Sequence, residues 1–263
     1  MDWGMRNRLS RFIGADGRTV MLAVDHGYFM GPTTGLEDLG ATVRPLMPYA
    51  DALMLTRGAL RNDIPPEQSP PIVLRVSGGS SILAINDDNW RESVSVDIED
   101  CIRLNVVGMA VQVFIGGVGE KESLENLSRC VNLGQRYGIP VLGVTAVGRQ
   151  LARDARYLAM AGRIIAELGA QVNKTYFCEG FEDVVAKVPV PVVMAGGKKI
   201  EERAALELAD SAIRAGAVGV DMGRNIFQSD SPVGMIKAVR AVVHDGASID
   251  DAYGVYEAEK AGA

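Results

Sequence analysis

Eight short apolar runs recur along the chain, at residues 19–25, 52–56, 72–76, 107–115, 141–145, 170–175, 190–195 and 218–222. Each ends in turn-forming or polar residues. Several are β-branched and nearly continuous in hydrophobicity, the pattern of strands buried on both faces. Helical patterns fill most of the gaps. A first helix is expected over 36–47, stopped by Pro48. A second over 93–104 puts Val94, Ile98, Cys101 and Ile102 near one face. Residues 121–137 repeat Leu124, Leu127, Val131 and Leu133 and end before Gly138-Ile139-Pro140. Residues 149–168 predict the longest helix. The segment 201–215 ends at Gly216, and 233–243 opens after Ser231-Pro232, a cap residue and a first-turn proline. Between 56 and 71, Pro65-Pro66 and Pro70-Pro71 allow only a short helix or a loop.

Strand–helix alternation sustained eight times predicts a (β/α)8 barrel, an α/β fold of TIM-barrel type. The alternative is an open doubly wound sheet, which usually carries a GxGxxG fingerprint after its first strand; none is present. No linker or composition shift divides the chain, so residues 1–263 read as a single domain. The first eighteen residues, with Trp3, Phe12 and Ile13, are expected to form a helix closing the barrel bottom, and 249–260 a short terminal helix.

Composition narrows the function. A net charge of −6 argues against a nucleic-acid partner, which usually needs a basic face. It leaves small anionic substrates open, because a few local donors suffice for those. Cys101, Cys130 and Cys178 form no CxxC pair and read as reduced thiols. No apolar run approaches the ~20 residues of a membrane span, and a cytoplasmic protein without a membrane partner is expected.

In a barrel of this type, chemistry sits on the loops after the strands. Those ends supply Asp25-His26, Thr56-Arg57, Ser77-Gly78-Gly79-Ser80, Gly116-Gly117, Thr145, Lys174 with Tyr176, Gly196-Gly197 and Gly223-Arg224. Lys174 is the candidate nucleophile. A free lysine amine has a pKa of about 10.4 and is almost wholly protonated at neutral pH. Burial or a neighbouring cation lowers that value, and the amine can then attack a ketone and form an iminium, an electron sink for breaking a C–C bond. The bland alternative is a lysine that snorkels or pairs with Glu179. Asp25 can exchange protons with a substrate hydroxyl; His26 can do so too, or hydrogen-bond a carbonyl. Alternatively the two cap the loop before Gly27. Gly196, Gly197, Gly223 and Arg224, running on to Asn225, suit a phosphate, because glycine lets backbone amides approach an anion closely. Arg224 can add charge there or pair with Asp221. Ser77–Ser80 can bind substrate or merely turn the chain. With only two histidines, one of them His244 in the last part of the chain, no metal site is expected.

These residues carry a resemblance. Asp2-Trp3-Gly4-Met5, Met21–Tyr28, Leu55–Gly58, Val144–Gly148, Lys174-Thr175-Tyr176, Ala195–Lys199 and Gly219–Asp230 together resemble the class I aldolase family that includes archaeal-type fructose-bisphosphate and deoxyribose-phosphate aldolases. Within it, the chain is most similar to a thiolase branch that processes phosphorylated autoinducer-2. The resemblance implies a (β/α)8 barrel with Lys174 as the Schiff-base lysine and substrate phosphate at Gly197, Gly223 and Arg224. It also implies a ring-based homo-oligomer, a decamer. The implied reaction passes an acetyl unit from a phosphorylated 3-hydroxy-2,4-pentanedione to coenzyme A as co-substrate, with no tightly bound cofactor. The products are acetyl-CoA and dihydroxyacetone phosphate.

One departure separates the branches. The family's fructose-bisphosphate aldolases carry a tyrosine proton donor after strand five, in a Tyr-Pro-Arg-Gly-like segment. Here Val144-Thr145-Ala146-Val147-Gly148-Arg149 has no tyrosine. A positioned acid is worth roughly 10²–10⁴ in rate, so its absence weighs against ordinary aldol cleavage. A β-diketone needs it less, because a second carbonyl shares the charge. The competing expectations are a class I aldolase acting on a ketose phosphate and a non-catalytic sugar-phosphate binder.

Overall fold

The protein is described by a computed structural model covering residues 1–79, 81–84, 91–147 and 152–262. Eight strands close a parallel barrel in sequential order, the last pairing with the first. They are β1 (Thr19–Ala23), β2 (Ala52–Thr56), β3 (Ile72–Arg75) and β4 (Gly108–Phe114), then β5 (Val141–Ala146), β6 (Val172–Tyr176), β7 (Val192–Ala195) and β8 (Gly219–Met222). Helices follow the strands and cover the outside. The fold is the expected (β/α)8 barrel, not an open doubly wound sheet.

Two apolar cores explain the continuous hydrophobicity of the strands. Residues facing outward pack beneath the helices in the larger one, Leu22, Leu53, Leu74 and Val220 among them. Residues facing inward fill the barrel: Met21, Ala23, Ala52, Met54, Val73, Ala110, Leu142, Val144, Val172 and Val193. Side chains alternate between the two faces along each strand. Phe12, 1% exposed, belongs to the inner core, with Leu9 and Ile13 packed against it. It follows the helix Trp3–Leu9, whose first turn is capped by Asp2 accepting from Met5 N at 2.7 Å.

Helix boundaries follow local chemistry. The helix Glu120–Tyr137 stops at Gly138, which takes the left-handed conformation (φ 69°). Pro232 stands in the first turn of Pro232–Asp245. Asp154 opens Ala155–Glu167 by accepting from Tyr157 N at 2.8 Å. The expected start of this helix at 149 lies outside the described residues, and Glu120–Tyr137 is the longest helix among those described. Three expectations are corrected. Ser93 and Val94 are not helical: they pair antiparallel with Ser77–Gly78, and the helix begins only at Ile98. Val94 and Val96 alternate with serines, a period-two pattern that suits an extended chain. The first helix is shorter than expected, Leu39–Val43, and Pro48 sits inside a separate 3-10 turn, Met47–Tyr49. The N-terminal helix is Trp3–Leu9 and does not extend over the first eighteen residues. Phe181–Lys187, between β6 and β7, is a helix with no counterpart among the expected ones.

Because Phe12 sits inside the barrel, Phe12→Ala is expected to cost about 3–5 kcal/mol of stability. Urea denaturation would register this as a lower midpoint with an unchanged slope.

Candidate active site

The C-terminal ends of the strands surround a cavity of about 340 Å³. Strand parity decides what projects into it. On β6, Val172 faces the inner core, so Lys174 and Tyr176 point the same way, one and two steps nearer the mouth. Val144 pairs in register with both Gln112 and Lys174, and Met21 with Asp221. The polar side chains therefore stand beside apolar ones on neighbouring strands.

Lys174 is 8% exposed, and its Nζ lies 2.7 Å from Asp221 Oδ2 and 3.9 Å from Met54 Sδ. Asp221 is 1% exposed, and burial raises its pKa against the opposing pull of Lys174. The carboxylate partner of Lys174 is thus Asp221 on β8, not Glu179, and Asp221 does not pair with Arg224. Taking two charges out of water is expensive, and removing one partner strands the other.

Asp25 follows β1 and is also buried. Arg75 grips its Oδ2 with Nε at 2.9 Å and with a terminal nitrogen at 2.8 Å. Burial pushes the Asp25 carboxyl up, but Arg75, Lys174 and His26 outweigh it and leave the pKa below the ordinary value. Arg75 also donates to Gln112 Oε1 at 2.9 Å and lies over the Tyr28 ring. Tyr28 donates to Glu92 Oε1 at 2.8 Å, and burial raises its pKa well above 10. Ser77 donates to the other oxygen of Glu92 at 2.6 Å and accepts from Gln112 N at 2.9 Å. Ser77 therefore anchors a carboxylate in this network. Ser80, the last of the serine-glycine segment, lies outside the described residues.

His26 begins a short helix, Gly27–Met30, without a side-chain cap bond, and its ring meets Phe227 edge-on at 5.5 Å. Burial lowers its pKa to about 4, against the raising effect of Asp25, so the imidazole is neutral near pH 7. Gly223 permits this placement. A Cβ there would stand 2.6 Å from His26 Cε1 and 2.3 Å from Ala23 O. Gly197, with φ of +70°, leaves open space where a side chain would project. Arg224 is half-buried, and its Nε has no hydrogen-bond partner among the described residues.

All seven residues singled out above, Asp25, His26, Lys174, Gly196, Gly197, Gly223 and Arg224, line this one cavity. Thr145 and Tyr176 line it too, whereas several other strand-end residues are engaged elsewhere. Arg57 turns outward to Asp100 at 2.6 Å, and Thr56 caps the following helix through Ala59 N. Asn225 is engaged with backbone: it donates to Gly196 O at 2.7 Å and accepts from Ile200 N at 2.9 Å. Thr145 accepts from Asn173 at 3.1 Å. His244 bridges Asp16 and Asp51, which precedes β2, at the opposite end of the barrel. Among the described residues, no three His, Cys, Asp or Glu side chains converge as a metal-ligand set. Arg75, Gln112 and Asp221 are among the site residues that the sequence pattern leaves unassigned. Their signal is a polar residue inside an apolar strand run, in phase with its inward-facing neighbours.

Residues 19–229 match the DeoC/LacD aldolase family, and the chain belongs to it. It is 54% identical over 264 residues to the 3-hydroxy-5-phosphonooxypentane-2,4-dione thiolase of Enterobacter sp. (strain 638), covering 100% of this chain and 88% of the relative. It is 53% identical over 262 residues to the thiolase of the same name from Escherichia coli (strain K12), covering 99% and 89%. An archaeal fructose-1,6-bisphosphate aldolase, solved with its catalytic lysine bound to the carbinolamine intermediate, superposes with a TM-score of 0.83 at 22% identity. That match covers 91% of this chain and 99% of the aldolase, and it shows a shared fold. No described helix is long and apolar enough to cross a membrane.

His26 gives a pH prediction. An unfolded imidazole takes up its proton near pH 6.5, whereas the folded one does so at about 4. Between those values the unfolded chain binds more protons, so the contribution of His26 to stability is lost as pH falls through this window. NMR should show no titration of the His26 ring between pH 5.5 and 8. Denaturation of His26→Gln should lose less stability than wild type between pH 6.5 and 4.5.

Proposed function

We propose that the chain is a lysine-dependent thiolase. It cleaves 3-hydroxy-5-phosphonooxypentane-2,4-dione and passes the acetyl unit to coenzyme A, giving acetyl-CoA and dihydroxyacetone phosphate, within the breakdown of phosphorylated autoinducer-2. The relatives at 54% and 53% identity bear that thiolase name, which supports the substrate. The observation that carries the chemistry is the buried Lys174–Asp221 pair, 2.7 Å apart on the cavity wall.

The steps follow from those groups. Asp221, its pKa raised by burial, accepts the ammonium proton and frees the Lys174 lone pair. The amine adds to the ketone beside the phosphorylated carbon and loses water, forming an iminium. The thiol of coenzyme A adds to the other carbonyl. The bond from that carbonyl carbon to the hydroxyl-bearing carbon breaks, and its electron pair flows into the iminium to give an enamine. The hydroxyl-bearing carbon regains the proton that the thiol released. Water then frees dihydroxyacetone phosphate and regenerates Lys174. Asp25, held anionic by Arg75, exchanges protons with substrate oxygens, and neutral His26 hydrogen-bonds one of them. The phosphate lies against Gly196, Gly197, Gly223 and Arg224.

The wall from β5 supports this reading. Val144, Thr145, Ala146 and Val147 line the cavity and present no phenol. Tyr28 also lines it, but its hydroxyl is bound to Glu92 and its raised pKa makes it a poor acid. One observation favours a second reading, a class I aldolase acting on a ketose phosphate such as fructose 1,6-bisphosphate: Tyr176 shares the cavity with Lys174. The proposal includes a cytoplasmic homo-oligomer, a decamer, which sedimentation velocity can measure.

Borohydride in the presence of substrate should attach one adduct, at Lys174, and Lys174→Ala should abolish turnover. Adduct at Lys198 instead would sink the mechanism. Incubating the phosphorylated diketone with and without coenzyme A should give acetyl-CoA only in its presence. Cleavage of fructose 1,6-bisphosphate without coenzyme A would select the aldolase.

A further inference from the structure

The cavity sorts its charges by sign. Its three carboxylates are all engaged: Asp25 with Arg75, Glu92 with Tyr28 and Ser77, and Asp221 with Lys174. Three further cations line it, Arg153, Lys198 and Arg224, and none has an acidic partner among the described residues. Two of them share a neighbour. The Arg153 guanidinium stacks on the Tyr176 ring, 3.9 Å from its centroid. Arg224 lies within the field of both Tyr176 and Arg153; burial lowers its pKa, Tyr176 opposes that, and Arg153 adds to it.

Two guanidiniums beside one tyrosine, neither with a carboxylate partner among the described residues, repel each other until an anion arrives. Stacking also holds Arg153 by its flat face, leaving the in-plane N–H donors at its edge for hydrogen bonding. Arg224 contributes an Nε without a partner among the described residues. Planar forks of this kind match two oxygens of a phosphate, which a point-charge lysine does not. The arginines come from different loops, after β5 and after β8, so an anion between them is gripped from two sides.

We infer that Arg153, stacked on Tyr176, is the second jaw of a two-arginine clamp for a phosphate monoester, with Arg224 as the first. This rests on the reading of the cavity as a site for a phosphorylated carbonyl compound. It adds a residue from the β5 loop that the glycine pattern does not suggest, and it makes Tyr176 a positioning residue for that arginine.

The test uses two probes that do not need thiolase turnover. Inorganic phosphate binding to the full chain, followed by ³¹P NMR, should weaken about 10- to 100-fold in Arg153→Met, the loss expected for a charged hydrogen-bonding partner. Arg153→Lys should recover only part of it. Borohydride trapping at Lys174 is then compared for dihydroxyacetone phosphate and dihydroxyacetone. Arg153→Met should lower the preference for the phosphorylated ketone by a similar factor. Unchanged phosphate binding, or trapping of both ketones weakened alike, overturns the clamp. A selective rise in the KM for coenzyme A, with phosphate binding intact, also overturns it and assigns Arg153 to the acyl acceptor. If coenzyme A supports no turnover but phosphate binding still falls in the variant, the thiolase reading fails and the clamp stands.

Discussion

A lysine and an aspartate face each other across the mouth of a closed parallel barrel, and much of the molecule is arranged around that pair. Lys174 and Asp221 stand on β6 and β8, separated by β7. The barrel supplies a ring of neighbouring strand ends, apolar neighbours in Met54, Val144 and Val193, and a second compensated pair, Asp25 with Arg75. In such surroundings charges interact more strongly than in water, and unpaired ones are penalised more heavily. The pair is thus both a demand on the fold and the reason for its polar layer.

Beyond this layer the site becomes progressively less compensated. The cavity's carboxylates are all engaged, whereas Arg153, Lys198 and Arg224 have no acidic partner among the described residues. This gradient suits a ligand with a neutral reacting end and an anionic tail. It also reconciles a net charge of −6 for the whole chain with an anionic substrate, because the local balance, not the total, governs binding.

The barrel is legible in the sequence because strands buried on two faces must be apolar almost throughout, and eight such runs stand out. The glycine-bearing ends and Lys174 are legible for the converse reason: they interrupt those runs at the same relative position. Arg75, Gln112 and Asp221 are harder to see, since each sits inside an apolar run and only its phase relative to inward-facing neighbours marks it. The pairing of Lys174 with Asp221 cannot be read from spacing at all, because closure of the barrel brings together residues far apart in the chain. Ser93 and Val94 mislead because a short amphipathic segment fits a helix and a ribbon equally well, and only its partner Ser77–Gly78 decides.

Asn225 has an effect beyond its own bonds. Its amide ties the carbonyl of Gly196 to the nitrogen of Ile200, so the loops after β7 and β8 are fastened to each other. The glycine-bearing ends of β7 and β8 are thereby held to each other as one unit. Moving one loop drags the other. The wall from β5 is built instead from Val144, Thr145, Ala146 and Val147. It is on that wall that this chain lacks the tyrosine and offers small side chains instead.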